Sequence, residues 1–358
     1  MTETVALVLA GGKGERLWPL SRKNRPKQFV SVVNEATLIQ TTVDRLLSVF
    51  PAERIYVSTT EKYLPSVLAA DIPVPPENVI LERRPLGPAT AFPLAHAVIH
   101  RVGGDDVRVF SCSSDHFIQG AAEFERTLSE LADGVFDRGA AVTVLGAKVL
   151  EPDDRLGYMR LEPTETPELF RAVSLSEKPS LDEARSLAES GAVCWNTQNY
   201  LARSADVLEV LRRVHPGPTA EVIAYAEQWA AHPEEREYGY DGSPFPGHEL
   251  DPFFDDGAAV DVLVRDFGWS DVGTWERVLQ ARELAGAAAL PPVLMQGSRD
   301  VVAISTDGRP IVACGVEDLI IVSHDDAVYV LNRTVASSLN SVKEWRSAVA
   351  GAGEEELL

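Results

Sequence analysis

Cysteine is scarce: Cys112, Cys194 and Cys314 are the only three in 358 residues, far apart and without a C-x-x-C pair. An odd number at such spacing argues against a disulfide framework and gives no support for a structural zinc site. Buried free thiols in a reducing cytoplasm are the expectation. Positive charge is also short, with 33 Lys and Arg against 54 Asp and Glu and a net charge of −21. That balance argues against nucleic acid and anionic membrane as partners. No apolar run approaches the roughly 20 residues needed to span a bilayer. The N-terminal M-T-E-T has no basic flank and leads into a run too short for a signal peptide. A hydrophobic fraction of 45% does allow a proper core, and the length suits one large domain with a smaller one.

The scarce positive charge is concentrated in one place. Residues 9–28 read L-A-G-G-K-G-E-R-L-W-P-L-S-R-K-N-R-P-K-Q. Gly11, Gly12 and Gly14 allow sharp turns and let backbone N–H groups approach a ligand. Lys13, Arg16, Arg22, Lys23, Arg25 and Lys27 follow, opposed only by Glu15. The stretch carries net +5 in an acidic chain, a local focus suited to a polyphosphate. Arg16 can grip phosphate oxygens with a fork and Lys27 as a point charge, which makes both candidates for a triphosphate. Two known phosphate loops do not fit. No G-x-x-x-x-G-K-[ST] string occurs, and Leu17 stands where a dinucleotide fingerprint needs its third glycine.

The loop follows an apolar run at 5–9 that reads as a buried strand. Helical spacing then predicts helices over 37–50, 61–70, 88–101 and 121–137, alternating with strands over 54–58, 78–81, 107–112 and 140–145. This β-α order predicts an α/β fold, Rossmann-like, with a mainly parallel sheet and ligands at the carboxyl ends of its strands. From 157 the texture changes: strands at 157–161, 169–175 and 192–201, helices at 180–190, 205–214 and 220–230, a loop over 232–254, and a helix over 274–285. Ala, Gly and a double proline make 285–292 a linker candidate. Short apolar runs with Asp-Gly, Glu-Asp and Asp-Asp turns then predict a small all-β unit, with a last helix over 342–349 and a solvated tail at 354–356. The domains expected are 1–285, catalytic, and 293–358, a small C-terminal β domain.

R-L-W-P-L-S-R with P-K-Q-F resembles the signature of sugar-1-phosphate nucleotidyltransferases, in its GDP-mannose pyrophosphorylase (mannose-1-phosphate guanylyltransferase) branch. The resemblance implies a nucleotide-diphospho-sugar transferase fold. It also implies attack by a sugar 1-phosphate on the α-phosphorus of GTP, assisted by Mg2+, with release of pyrophosphate. Such a reaction needs charge neutralisation and alignment rather than a protein nucleophile. Leu9, Ala10, Gly11, Gly12, Lys13, Gly14, Arg16 and Lys27 are then the nucleotide loop. Asp115, in S-S-D-H, resembles the metal aspartate of P-A-D-H. Asp271, in F-G-W-S-D-V-G-T-W, closely matches the second metal motif. An aspartate ahead of a helix also serves as a plain N-cap. E-K-P resembles the motif in which Lys178 faces the sugar phosphate and Glu177 a hydroxyl. Asn196, in W-N-T-Q, stands where W-N-S-G contacts the sugar.

Departures gather on the sugar side. Gln198 replaces a glycine, Gly157 keeps only part of T-G-Y-G-Y-I, Glu249-Leu250-Asp251 stands near S-I-D, and Asp256 stands where a glutamate is usual. R-P-L-G-P-A-T-A, with Gly87, stands where R-N-T-A-P-A helps to hold the base. Retained chemistry with an altered acceptor is expected, a cyclitol 1-phosphate such as valienol 1-phosphate being the alternative. A non-catalytic nucleotide-sugar-binding homologue is a second one, and a dehydrogenase is disfavoured by Leu17. His116 reads as structural. By the same resemblance the β unit is a left-handed β-helix-like cap used in assembly, which suggests a homodimer. A plain β-meander fits the sequence nearly as well. Nothing in the pattern resembles a fused isomerase domain, so the monofunctional form is expected.

Overall fold

The structure, a computed structural model, describes residues 3–12, 14–232, 239–287 and 293–333. It contains two compact units that interleave along the chain. The first takes Met1–Gly11, Thr42–Ser114 and Gly120–Trp269; the second takes Gly12–Thr41, Asp115–Gln119 and the chain from Ser270 onward.

The first unit is built on a nine-stranded sheet. Across it the strands run Val79–Glu82, Ile55–Thr60, Thr4–Leu9, Arg108–Ser113, Val193–Arg203, Val142–Lys148, Val260–Val264, Leu169–Glu177 and Gly157–Pro163. The first four are mutually parallel. Thr4–Leu9 lies among them with every side chain from Thr4 to Val8 buried, as a central strand covered on both faces requires. Helix Pro88–Gly103 is buried along 89–99 and shares a core with Ser204–Val214 and Pro216–Ala231. Within that core Phe92 meets Tyr200 edge-on at 5.8 Å.

The sheet is mixed, not mainly parallel. Val193–Arg203 runs antiparallel to both of its central neighbours, and Gly157–Pro163 and Leu169–Glu177 form an antiparallel pair. From 142 to 203 the strands pair antiparallel, with one helix, Leu181–Glu189, among them, so the β-α alternation of the first 145 residues does not extend past it. The strand Val260–Val264 carries no expectation from the sequence. Its buried Asp261 interrupts the apolar pattern and is neutralised by Arg171 at 2.7 Å. The expected loop over 232–254 ends in a helix, Asp251–Asp256, which opens with a proline at its start and buries Phe253.

Because the four parallel strands share a direction, Leu9, Thr60, Glu82 and Ser113 end along one edge of the sheet. Strand order reverses beside Thr4–Leu9, which is where open α/β sheets leave a crevice for ligands.

In the second unit the core joins Leu17, Leu20, Val30, Val272, Trp275, Ile304, Ile320 and Val322. Strands in 293–332 pair in parallel with strands eighteen positions on, Val293 with Ile311 and Val302 with Ile320. Leu319–His324 then forms an antiparallel hairpin with Ala327–Asn332. Cys112 and Cys194 are buried free thiols as expected, but Cys314 is exposed. Side chains alternate along Ile311–Cys314, so burying Ile311 and Ala313 turns Val312 and Cys314 outward. The expected helix over 342–349 and the tail at 354–356 lie outside the described residues, as does 288–292 of the expected linker.

Candidate active site

In the second unit the P-K-Q-F segment forms a short helical turn, Lys27–Phe29, that buries both Lys27 and Gln28. Gly14 makes this possible. It has φ 57°, and a Cβ there would lie 2.1 Å from the Lys27 Cβ, so the loop folds back only around a glycine. The Gln28 amide donates to the Gly12 carbonyl at 3.1 Å and the Ser21 hydroxyl to the Gly14 carbonyl. Arg16 lies, partly buried, in the turn Glu15–Leu17. Lys13 lies outside the described residues.

The Lys27 ammonium joins the two candidate metal aspartates. It donates to the Asp115 carboxylate at 2.9 Å and to the backbone carbonyl of Asp271. Asp271 does not cap the following helix. Thr274 takes that position, its hydroxyl accepting from the Arg277 amide, and the Asp271 carboxylate instead accepts from the Arg277 guanidinium. The His116 Nε2 stands 3.9 Å from the Asp115 carboxylate. Burial alone would raise both carboxyls. For Asp115, Lys27 and then His116 overcome it, against repulsion from Asp271, and hold the group below the usual range. For Asp271, Arg277, Lys27 and His116 overcome it and bring the group to about 2. Both are therefore ionised at neutral pH. Residues 156 positions apart in sequence thus meet in one compact cluster of two carboxylates and their cations.

In the first unit the strand carrying Leu9 is continued by Ala10, whose amide donates to the Ser58 carbonyl at 2.7 Å and whose carbonyl accepts from the Thr59 hydroxyl at 3.0 Å. A Cβ on Gly11 would face the Glu82 carboxylate at 3.8 Å. Glu82 is 2% exposed, accepts from the Leu86 amide at 2.9 Å, and is pushed up to about 7 by burial. Gly87, at φ 89°, opens helix Pro88–Gly103, its carbonyl accepting from the Thr90 and Ala91 amides.

The acceptor candidates also converge. A Cβ on Gly157 would fall 2.5 Å from the Glu177 carboxylate and 3.4 Å from the Asn196 Cβ. Asn196 bonds the Tyr200 hydroxyl at 3.1 Å, and that hydroxyl donates to buried Glu249 at 2.9 Å. His248 Nε2 lies 3.4 Å from Glu249 and 3.9 Å from Glu177. Lys178, at φ 47° and half exposed, donates to Glu177 at 2.6 Å and lines an open pocket with Arg160, Ser180 and Glu183.

Sequence reasoning missed Glu82, Arg277, Tyr200 and His248 and did not place Glu249 in the site. Glu82 left one usable signal, an acid closing an otherwise apolar strand beside the glycine loop. Arg277 gave none, since a basic residue early in a helix is ordinarily solvent-facing.

Among known proteins, the nucleotidyl transferase family model matches residues 5–287. The xanthan biosynthesis protein XanB of Xanthomonas campestris is 31% identical over 367 aligned residues, covering 99% of this chain and 75% of that protein. The mannose-1-phosphate guanylyltransferase ManC of Salmonella typhimurium is 29% identical, covering 96% and 73%. A crystal structure described as mannose-1-phosphate geranyltransferase from Thermus thermophilus superposes with a TM-score of 0.76 at 25% identity, over 98% of this chain and all of that one. With a family model spanning the loop, both aspartates and E-K-P, the chain belongs to the nucleotidyl transferase family, in the branch of the GDP-mannose pyrophosphorylases, and is an enzyme of that kind.

Proposed function

We propose that this enzyme joins a sugar 1-phosphate, mannose 1-phosphate or a close relative, to GTP and releases pyrophosphate. The observation that carries the reading is the cluster of Asp115, Asp271 and Lys27 beside the basic glycine loop. Two ionised carboxylates fit a hard divalent ion such as Mg2+, which takes one or two protein carboxylates and completes its shell with phosphate oxygens and water. Among the described residues no group of three or more His, Cys, Asp or Glu side chains could hold a metal. Asp115 and Asp271 would hold it, and when bound it would neutralise charge developing on the phosphates.

The protein's own part is binding and alignment. Arg16 and Lys27 grip the triphosphate, and by the family motif Lys13 and the loop amides of 9–14 serve the same ligand. Glu82 favours guanine: one carboxylate accepts from both the N1–H and the exocyclic amine of that base, and adenine does not offer that pair of donors. Gly87 lets the chain turn close to the base. Glu177 and Asn196 hold acceptor hydroxyls and Lys178 its phosphate. The nucleophile is the acceptor phosphate itself, so no side chain is needed as a base.

A cyclitol 1-phosphate such as valienol 1-phosphate is a second reading of the acceptor. Gln198, in place of a glycine, supports it by reshaping the pocket around Asn196. Incubation with GTP, Mg2+ and a panel of sugar and cyclitol 1-phosphates, followed by pyrophosphate release, tests both. Release with mannose 1-phosphate supports the first and release with only cyclitol acceptors the second. Absence of release with every acceptor would overturn the proposal. A homodimer is proposed with it, and sedimentation is its test.

A further inference from the structure

The acceptor side of the sheet contains a feature that neither the pattern of the family motif nor the reaction requires. Strand Val193–Arg203 pairs with Val142–Lys148 until Asn199 meets Leu145, and the next pair is Asn196 with Gly146. Thr197 and Gln198 are extra residues in a bulge. Such bulges re-aim side chains and concentrate beside active sites. Thr197 anchors it by donating to the Leu145 carbonyl at 2.6 Å. Gln198 is held at φ 55°, a conformation that suits glycine and strains other residues.

The strained side chain is fully used. Its amide nitrogen donates to the Glu249 carboxylate at 3.3 Å, and its amide oxygen accepts from the Ser113 hydroxyl at 3.2 Å. Its backbone N–H donates to the Asn196 side-chain oxygen at 3.1 Å. Gln198 therefore ties the carboxyl end of a central strand to both Asn196 and Glu249.

Glu249 is unevenly satisfied. Its Oε1 accepts from the Tyr200 hydroxyl at 2.9 Å and the Gln198 amide at 3.3 Å, with His248 Nε2 3.4 Å away. Its Oε2 is buried and has no hydrogen-bond partner among the described residues, on a side chain only 1% exposed. An ionisable oxygen buried without a donor is costly, and such an atom in a native fold calls for an explanation. The two donors that Glu249 has, Tyr200 and Gln198, are both on Oε1.

Resting on the reaction proposed above, we propose that the Gln198–Glu249 pair determines acceptor specificity by receiving one hydroxyl of the polyol ring on Glu249 Oε2. The ligand is thereby a 1-phosphate whose ring carries a free hydroxyl donor at that point. An anionic substituent there is excluded, because Glu249 and Glu177 would repel it. Gln198 is the positioning residue, because it fixes the carboxylate that makes the contact.

The test uses the full chain with GTP, Mg2+, the best acceptor from the panel, and a series of that acceptor's monodeoxy analogues. E249Q keeps the shape. Q198G relieves the strained φ, so neither variant is expected to lose the fold, and circular dichroism checks this. The expected result is an acceptor KM raised at least tenfold in both, with the KM for GTP within twofold. One deoxy analogue should be at least tenfold worse than the parent in the wild type and no worse than the parent in E249Q. Deoxy discrimination that is the same in wild type and E249Q overturns the proposal while leaving the reaction intact. No pyrophosphate release from the wild type with any acceptor overturns the reaction, and this proposal with it.

Discussion

Replacing Glu82 with glutamine separates the cost of a buried carboxylate from its use. The side chain is 2% exposed and burial pushes its carboxyl from 4.5 up to about 7. One unit of pKa corresponds to about 1.4 kcal/mol, so the shift amounts to about 3 kcal/mol of folding free energy. The folded pKa is raised, so the unfolded chain gives up this proton first. The stabilising contribution is fully present below about 4.5 and is lost as pH rises through about 7. E82Q cannot ionise and keeps its stability. In urea denaturation the variant should gain on the wild type by about 3 kcal/mol between pH 4 and pH 8, most of it by pH 7. Stability curves that run parallel across this range would refute the assignment of a buried, neutral-leaning carboxyl.

On the proposed base contact, the same substitution should carry a functional cost. An amide oxygen can accept from only one of the two guanine donors without placing its own NH2 against the other. Each such mismatch, with a buried donor left unpaired, is worth about 1–3 kcal/mol. The GTP-over-ATP preference in turnover should fall at least tenfold in E82Q. The wild type should also lose GTP affinity below pH 7 relative to E82Q, as the acceptor carboxylate takes up its proton. An unchanged nucleotide preference would remove Glu82 from the base pocket, whatever the stability data say.

Lys27→Met removes the ammonium but keeps the length of the side chain. Turnover should fall at least tenfold, roughly 1.4 kcal/mol or more in barrier, and stability by about 3 kcal/mol, since Asp115 is left partly buried near Asp271 without its partner; near-normal kinetics would place Lys27 in a structural role alone. Arg16→Ala is expected to lower turnover at least tenfold, and parity in turnover would take it off the triphosphate. Asp271→Asn should raise the Mg2+ concentration for half-maximal rate at least tenfold, read from a metal titration at saturating substrates, and an unchanged titration would exclude Asp271 as a ligand. Gly14→Ala is expected to cost about 1–3 kcal/mol from strain at φ 57° and more from collision with the Lys27 Cβ; a variant as stable and active as the wild type would show that the loop does not need this fold.

How much of this was legible depended on how each signal is encoded. Thr4–Leu9, the basic loop and helix Pro88–Gly103 were readable because their information is local: an apolar run, a charge cluster, a 3.6-residue period. The convergence of Asp115 and Asp271 came from family resemblance, since spacing alone cannot show that residues 156 apart share one lysine. What stayed hidden was encoded in partners. Val260–Val264 was masked by Asp261, whose burial makes sense only beside Arg171 on the neighbouring strand. The loop's anchoring was hidden in the same way: Trp18 packs edge-on against Tyr329 at 5.0 Å, and Arg22 pairs with Asp326, each some 300 positions away. The bulge at 197–198 was hidden because it replaces one extended run by another, with no change in hydrophobic period to mark the slip.

That last blind spot bears directly on substrate choice. A glycine at 198 would tolerate φ 55° without strain and would leave Glu249 without one of its two hydrogen-bond donors. A glutamine there accepts the strain and spends its amide fixing a carboxylate. Local sequence preference therefore runs against the residue present, and the compensation is a set of polar contacts to Ser113, Asn196 and Glu249. Disagreement between a local backbone rule and the residue found marks a functional or strained site. In this chain it falls on the acceptor side, while the triphosphate loop and the Asp271 motif follow the family pattern. On the proposed assignments, acceptor choice and phosphoryl chemistry are carried by separate sets of residues, so the first can change without disturbing the second. Transplanting glycine at 198 should accordingly move KM for the acceptor far more than kcat, and an equal loss in both would show that the two sets are coupled.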